Sequence, residues 1–252
     1  VDRALRVYPD GGWAVLRTHP GDPADDVALL FRSSQFGSIS HSHANNNDFI
    51  LHVAGRVMAM PSGYYAGYGS AHHANWVWHT KSHNCLTLSD AGQIMRSHDS
   101  IGAVDETLEN DAIAYLRGVA DASYADRASR CRRHVLFLKR SNAFFILDEF
   151  VGHPGIVSSP QWNIHGWAPF EVDEAARTFR TCREGCALDG YALMHVNSFF
   201  TLTDGWDPPP GNGLQLPEWR QQYHLRFQPA GLFSRFHLGM VLAVGGPRIK
   251  QA

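Results

Sequence analysis

Arg133-His-Val-Leu-Phe-Leu-Lys139, Arg140-Ser-Asn142 and Ala143-Phe-Phe-Ile-Leu-Asp148 follow one another without a break. The outer runs are short and apolar, and the middle one is of the polar kind that reverses a chain, so the stretch reads as a β-hairpin. Working outward, the same signal recurs. Trp13–Arg17 and Val27–Arg32 are apolar runs bounded by Gly, Pro and Asp, and Asp48–Val53 alternates sides before a turn at Ala54-Gly55. Ala112–Gly118 reads as a strand followed by a short polar helix. Tyr223–Phe227, Phe233–His237 and Met240–Val244 supply strands near the end. Short strands at turn-marked spacing predict an all-β fold: a large antiparallel β-sandwich of more than a dozen strands with few short helices. Asp207-Pro-Pro-Pro-Gly-Asn-Gly213 reads as a loop, because three prolines cannot join a ladder.

The chain has 252 residues, with no internal repeat or low-complexity linker, and reads as one domain over residues 1–252. At 44% hydrophobic and 18% charged residues it is not a disordered chain. Lys+Arg is 22 against Asp+Glu 24, which argues against a nucleic-acid partner or a polybasic membrane footprint. An acidic substrate stays open, because a local cationic cleft is compatible with a neutral total. No apolar run approaches the roughly 18 residues that a membrane span needs. Cys182 and Cys186 could close a small loop in an oxidising compartment, although such a pair is more often two free thiols. The chain opens at Val1 without Met or a signal-like region and reads as a mature form or a fragment.

Histidine is the outlier. Seven of 15 fall between His41 and His83, among them His41, His43, His72, His73 and His83. Each alone reads as a hydrogen-bonded structural residue. Jointly they read as a site. On a strand His41 and His43 would share one face, and a third imidazole from a later segment would complete a zinc or proton-transfer arrangement. Tyr64, Tyr65, Tyr68, Trp76 and Trp78, with Asn45–Asn47, offer the stacking faces and hydrogen-bonding rim that suit a sugar, or else plain core. There is no phosphate loop, no Gly-x-Ser-x-Gly, no His-Glu-x-x-His and no Cys-x-x-Cys.

Ser33-Ser-Gln-Phe-Gly-Ser-Ile-Ser-His-Ser-His43, Asn47-Asp-Phe49, Gly55, Ser62-Gly-Tyr-Tyr65, Tyr68-Gly-Ser, His72-His73, Trp76 and Thr80-Lys-Ser-His-Asn84 together resemble the C-terminal β-domain of the heparinase II/III-like polysaccharide lyases. The likeness is to the exolytic lyases of alginate or glycosaminoglycan oligosaccharides. It is specific over residues 33–93; Phe145–Phe150 and Gln161–His165 extend it more loosely.

The resemblance implies β-elimination beside a uronic acid and a periplasmic or extracellular bacterial setting. It implies an anionic polysaccharide or oligosaccharide as partner. It also implies an N-terminal α-helical domain of the same parent, absent from this chain, that carries much of the active site. The isolated domain is then expected to be inactive. His41 takes the place of the sandwich's catalytic histidine, with Tyr64, Tyr65, His72, His73 and Trp76 lining the sugar path. His43 and His83 match ligands of a structural zinc, but Pro61 stands where a carboxylate ligand is expected, and proline cannot coordinate. Asp48, His72 or His73 would have to replace it; Asp48 otherwise reads as the residue that begins a strand. Two other readings are a non-catalytic carbohydrate-binding or scaffold sandwich, and a jelly-roll metalloenzyme built on His41, His43 and His83.

Overall fold

The computed structural model describes residues 4–194, 196–211, 221–247 and 249. Five strands open it: β1 (Leu5–Tyr8), β2 (Trp13–Arg17), β3 (Val27–Arg32), β4 (Asp48–Val53) and β5 (Arg56–Ala59). They pair in sequence order as one antiparallel sheet. Then come β6 (Leu86–Leu88), β7 (Ala103–Glu109), β8 (Ile113–Val119), β9 (Ala128–Leu138), β10 (Ala143–Gly152) and β11 (Pro160–Gly166). The rest are β12 (Glu171–Asp173), β13 (Thr178–Arg183), β14 (Cys186–Leu193), β15 (Ser198–Asp204), β16 (Tyr223–Pro229) and β17 (Arg235–Gly245).

An eight-stranded sheet runs β12-β13-β14-β17-β10-β9-β8-β7, and a four-stranded one β15-β16-β11-β6. Every pairing is antiparallel. The expected sandwich with short helical turns is therefore present. The Arg133–Asp148 hairpin is β9–β10, with Phe137 opposite Phe144 and their rings stacked at 4.5 Å. Such a pair adds about 0.5–1.5 kcal/mol beyond the area it buries.

Buried Phe31, Phe49, Phe137, Phe144, Trp162 and Phe179 come from all three sheets and join one core. Gly118 on β8 lets the first sheet approach. A Cβ there would stand 2.2 Å from Asn47 Oδ1 and 2.4 Å from the Phe31 ring. The two strands read at Phe233–His237 and Met240–Val244 are one, β17. Gly239 is no turn there: it lies in the ladder opposite Leu147, and the Phe145 ring occupies the space a side chain would take.

Cys182 and Cys186 are free, the first exposed and the second buried, so their side chains leave β13 and β14 on different faces. Asp207–Gly211 is irregular, as its prolines require; Asn212 and Gly213 lie outside the described residues. Among the described residues no helix is long and apolar enough to cross a membrane.

Candidate functional site

Residues 33–47 join β3 to β4, and they are loop, not strand. The alternation Ser40-His-Ser-His43 imitates a period of two, but the backbone is held by buried side chains instead of a ladder. Asn46 Oδ1 accepts from the Ser34 N–H at 2.8 Å, and its Nδ2 donates to Ser100 O at 3.1 Å and Ser123 Oγ at 2.8 Å. Gln93 accepts from the Asn46 N–H and donates to Asn46 O, at 2.8 and 2.7 Å. Thr80 Oγ1 donates to Ala44 O at 2.7 Å. The buried side chains of Asn46 and Gln93 are fully partnered, and such pairing specifies one conformation.

The expectation that His41 and His43 share a strand face is thus corrected: they turn to different neighbours. His41 is exposed, lies in a shallow open concavity of about 520 Å³ with Phe36, Ser42 and His98, and has its ring 6.2 Å from that of Tyr68. His43 points inward, 5.3 Å from the His83 ring and 6.5 Å from His73. Burial, and then His83, His73 and Arg32, push the His43 pKa down to about 3 against the opposing pull of Asp48, so the ring is neutral.

His83 and His43 do come together across 40 residues of sequence, but His83 is already committed. Its Nδ1 lies 2.8 Å from Asp48 Oδ2 and its Nε2 3.1 Å from Val77 O. Both nitrogens face acceptors, a carboxylate and a backbone carbonyl, so neither is left bare, and His83 and Asp48 form a close buried pair. Asp48 also accepts from Asn45 Nδ2 at 3.0 Å and from the N–H groups of Phe49 and Asn84 at 2.8 and 2.9 Å. Burial would push its pKa up; the His83 charge and these hydrogen bonds more than offset that and hold it down. A zinc ligand must present a bare nitrogen. His83 as arranged presents none, Pro61 has no donor to offer, and among the described residues no group of three ligating side chains forms. The donor set as arranged therefore does not fit zinc.

The aromatic segment after β5 divides between two sides. Tyr65 and Tyr68, 62% and 59% exposed, flank buried His73 at 5.6 and 5.1 Å between ring centroids. Trp78 lies 5.3 Å from His73 and carries the Arg96 guanidinium over its ring at 5.1 Å. This side adjoins His41 through Tyr68. Tyr64, His72 and Trp76 turn elsewhere. Tyr64 and His72 meet Trp206 at 5.7 and 6.0 Å, and Trp76 meets His224 at 5.1 Å. His72 Nδ1 donates to Pro208 O at 2.7 Å and its Nε2 accepts from the Tyr64 N–H at 3.2 Å, so the ring is a structural clamp.

A π-helical turn over His73–Val77, where the Trp78 N–H reaches back to His73 O at 3.0 Å, sets this division. Such turns re-aim side chains and concentrate at functional sites. Of the five residues expected to line a sugar path, Tyr65 and His73 group with Tyr68, the ring neighbour of His41, and the other three turn elsewhere. Tyr68, met in the sequence only as one aromatic among several, is the nearest ring partner of His41.

The family model described as Heparinase II/III-like, C-terminal, matches residues 1–230. The chain belongs to this family. A heparan sulfate lyase from Pedobacter heparinus superposes with a TM-score of 0.76 at 16% identity, covering 98% of this chain and 37% of that one. A heparinase III superposes with a TM-score of 0.78 at 18% identity, again over 98% of this chain and 37% of the other. At these identities the likeness is one of fold, and the chain spans well under half the length of either structure. No curated protein matches the sequence.

Proposed function

We propose that this Heparinase II/III-like domain is the β-sandwich wall of a polysaccharide lyase that cleaves a uronate-containing glycan, alginate or a glycosaminoglycan, by β-elimination. The C5 proton of a uronate is poorly acidic, because the neighbouring carboxylate is already an anion. Elimination needs that charge neutralised, a base at C5 and an acid at the departing O4. The observation that carries the reading is His41, exposed on an anchored loop beside Tyr68 in an open concavity; the sequence resemblance gives this residue the role of the sandwich's catalytic histidine. His41 meets the carboxylate or shares in proton transfer, and Tyr65, Tyr68 and His73 bound the sugar. The remaining reacting groups belong to the helical domain of the parent, in a periplasmic or extracellular protein.

Ultraviolet absorbance of the unsaturated uronate product, on a panel of anionic polysaccharides, tests this. The chain alone should give no turnover, because one wall cannot position both reacting groups. Joined to its helical domain it should be active, and His41→Ala should lower turnover by about 10²–10³ with an unchanged melting curve. Robust turnover by the isolated chain overturns the division of labour. A folded, fully active His41→Ala protein removes His41 from the mechanism.

A further inference from the structure

A second cavity, of about 380 Å³, shares no residue with the His41 concavity. It lies between the Asp204–Asp207 loop and the strands β11 and β16, a volume within the range of small-molecule sites. Its lining includes the paired rings of His165 and His224, 2% and 5% exposed, with their Nδ1 atoms 3.1 Å apart. His165 Nε2 donates to His83 O at 3.2 Å, so its Nδ1 accepts and His224 Nδ1 donates. Burial pushes the pKa of His165 well down, and takes that of His224 down to about 4, so both are uncharged polar groups. Trp206 forms part of the wall, and its indole N–H is held by Ser62 Oγ at 3.2 Å and Gln222 Oε1 at 3.1 Å.

Two cations reach the same space from distant segments. Among the described residues Lys81 has one hydrogen-bond acceptor, Asp207 O at 3.1 Å, and no ion-paired carboxylate; its ammonium lies 5.2 Å from the Trp76 ring centroid. Arg226 uses Nη1 on Asp90 at 2.8 Å, which among the described residues leaves the rest of its fork. Burial lowers the Lys81 pKa, and Arg226 adds to that by repulsion, while Asp207 and Asp90 oppose it. The same lining holds the carboxylates of Asp204 and Asp207, so what the two cations offer an acidic group is charge-assisted hydrogen bonds rather than a surplus of positive charge. Asp204, Thr201, Thr203 and Asn163 complete the lining with groups that take sugar hydroxyls.

We propose that this cavity is a second saccharide site, which seats one acidic sugar residue with its carboxylate or sulfate on Lys81 and Arg226 and its ring against Trp206. The choice of an acidic sugar rests on the lyase reading above; the site itself rests on the residues of the cavity. Holding the glycan at a point remote from His41 raises the local concentration of the same chain at the reacting end.

Indole N–H resonances of the 252-residue chain report the two sites separately, because Trp206 lines the cavity and Trp78 the His41 side. The chain is titrated with an unsulfated uronate tetrasaccharide, a sulfated tetrasaccharide without carboxylates, and a neutral glucose tetramer. The Trp206 signal should move with at least one acidic glycan and not with the neutral one; which acidic glycan moves it separates carboxylate from sulfate. Lys81→Ala and Arg226→Ala, each with an unchanged melting temperature, should weaken that response by about tenfold or more, the scale of a lost charge-assisted hydrogen bond. His41→Ala should leave it intact.

A Trp206 signal indifferent to every acidic glycan, or equally responsive to the neutral one, overturns the proposal. So does a response abolished by His41→Ala and untouched in both cation variants. A Trp206 response together with full activity of His41→Ala would sink the mechanism at His41 and leave this site standing. Lyase activity without a Trp206 response would do the reverse.

Discussion

Asp48→Asn offers a sharp test of how the histidine loop is held. The substitution keeps shape and volume. Oδ1 still accepts from the N–H groups of Phe49 and Asn84, but where Oδ2 stood an amide NH2 now faces two donors, His83 Nδ1 and Asn45 Nδ2. Two hydrogen bonds to a charged group are lost, each worth about 1.5–3 kcal/mol. Neutralising the carboxylate recovers part of its desolvation cost. A net destabilisation of about 3 kcal/mol is expected, at the lower end for breaking a buried ion pair. At about 2–4 °C per kcal/mol for a chain of this size, the melting temperature should fall by about 6–12 °C.

The pH dependence gives the sign. The Asp48 pKa is depressed in the folded state. Its contribution is therefore complete above the unfolded value near 3.9 and is lost as pH falls through the folded one. The gap between the two proteins should close as the pH falls below about pH 4. Paired thermal melts from neutral pH into acid measure it. A drop under about 2 °C at neutral pH, or a gap that widens in acid, would refute the ion-pair assignment.

Arg133 is the second anchor. It forks onto Asp148 at 2.8 Å through Nε and Nη2, and Nη1 donates to Asn47 O at 2.7 Å and to Asn84 O. Arg133→Met should cost about 3–5 kcal/mol in urea unfolding, and adding Asp148→Leu should recover a large part of that; no recovery would show that the two carbonyls, not the carboxylate, are what Arg133 serves. Zinc added to the purified chain should leave its melting temperature unchanged, because His83 has no bare nitrogen to give. One zinc per chain by elemental analysis, with a raised melting temperature, would show that Val77 O yields to the metal.

Strands buried on one face were legible because their residues alternate or run apolar between turn residues, as in β3, β4, β9 and β10. β7 escaped that reading: Ala103-Val-Asp-Glu-Thr-Leu-Glu109 is an edge strand exposed along most of its length, so it carries no apolar face to read. The 33–47 loop deceived in the other direction, since alternation without a ladder looks the same in one dimension. Proximity of His43 and His83 followed from the family pattern, but the role of Asp48 did not. A carboxylate that begins a strand and one that pairs with a buried imidazole have the same sequence signature, and here one residue is both. The Trp206 cavity was beyond reach: its polar groups come from β11, β15, β16 and the Lys81 turn, and no local pattern ties Lys81 to Arg226.

The anchors explain why an exposed site can still be precise. Arg133 reaches from the eight-stranded sheet to backbone carbonyls on both sides of the cluster, Asn47 just before β4 and Asn84 just after His83. Asp48 ties the same two segments together by side chain and backbone. His41 and Tyr68 are therefore the exposed ends of loops whose bases are buried and paired, and little of the backbone needs ordering when a glycan arrives. Preorganisation of this kind spares binding energy for the interactions that strengthen in the transition state. It also makes a specific demand. If loosening the base spoils the wall, then Asp48→Asn, which touches nothing in the His41 concavity, should lower lyase turnover of the full enzyme even at temperatures where it stays folded. Unchanged turnover in the folded variant would mean that His41 is positioned by its own short loop alone.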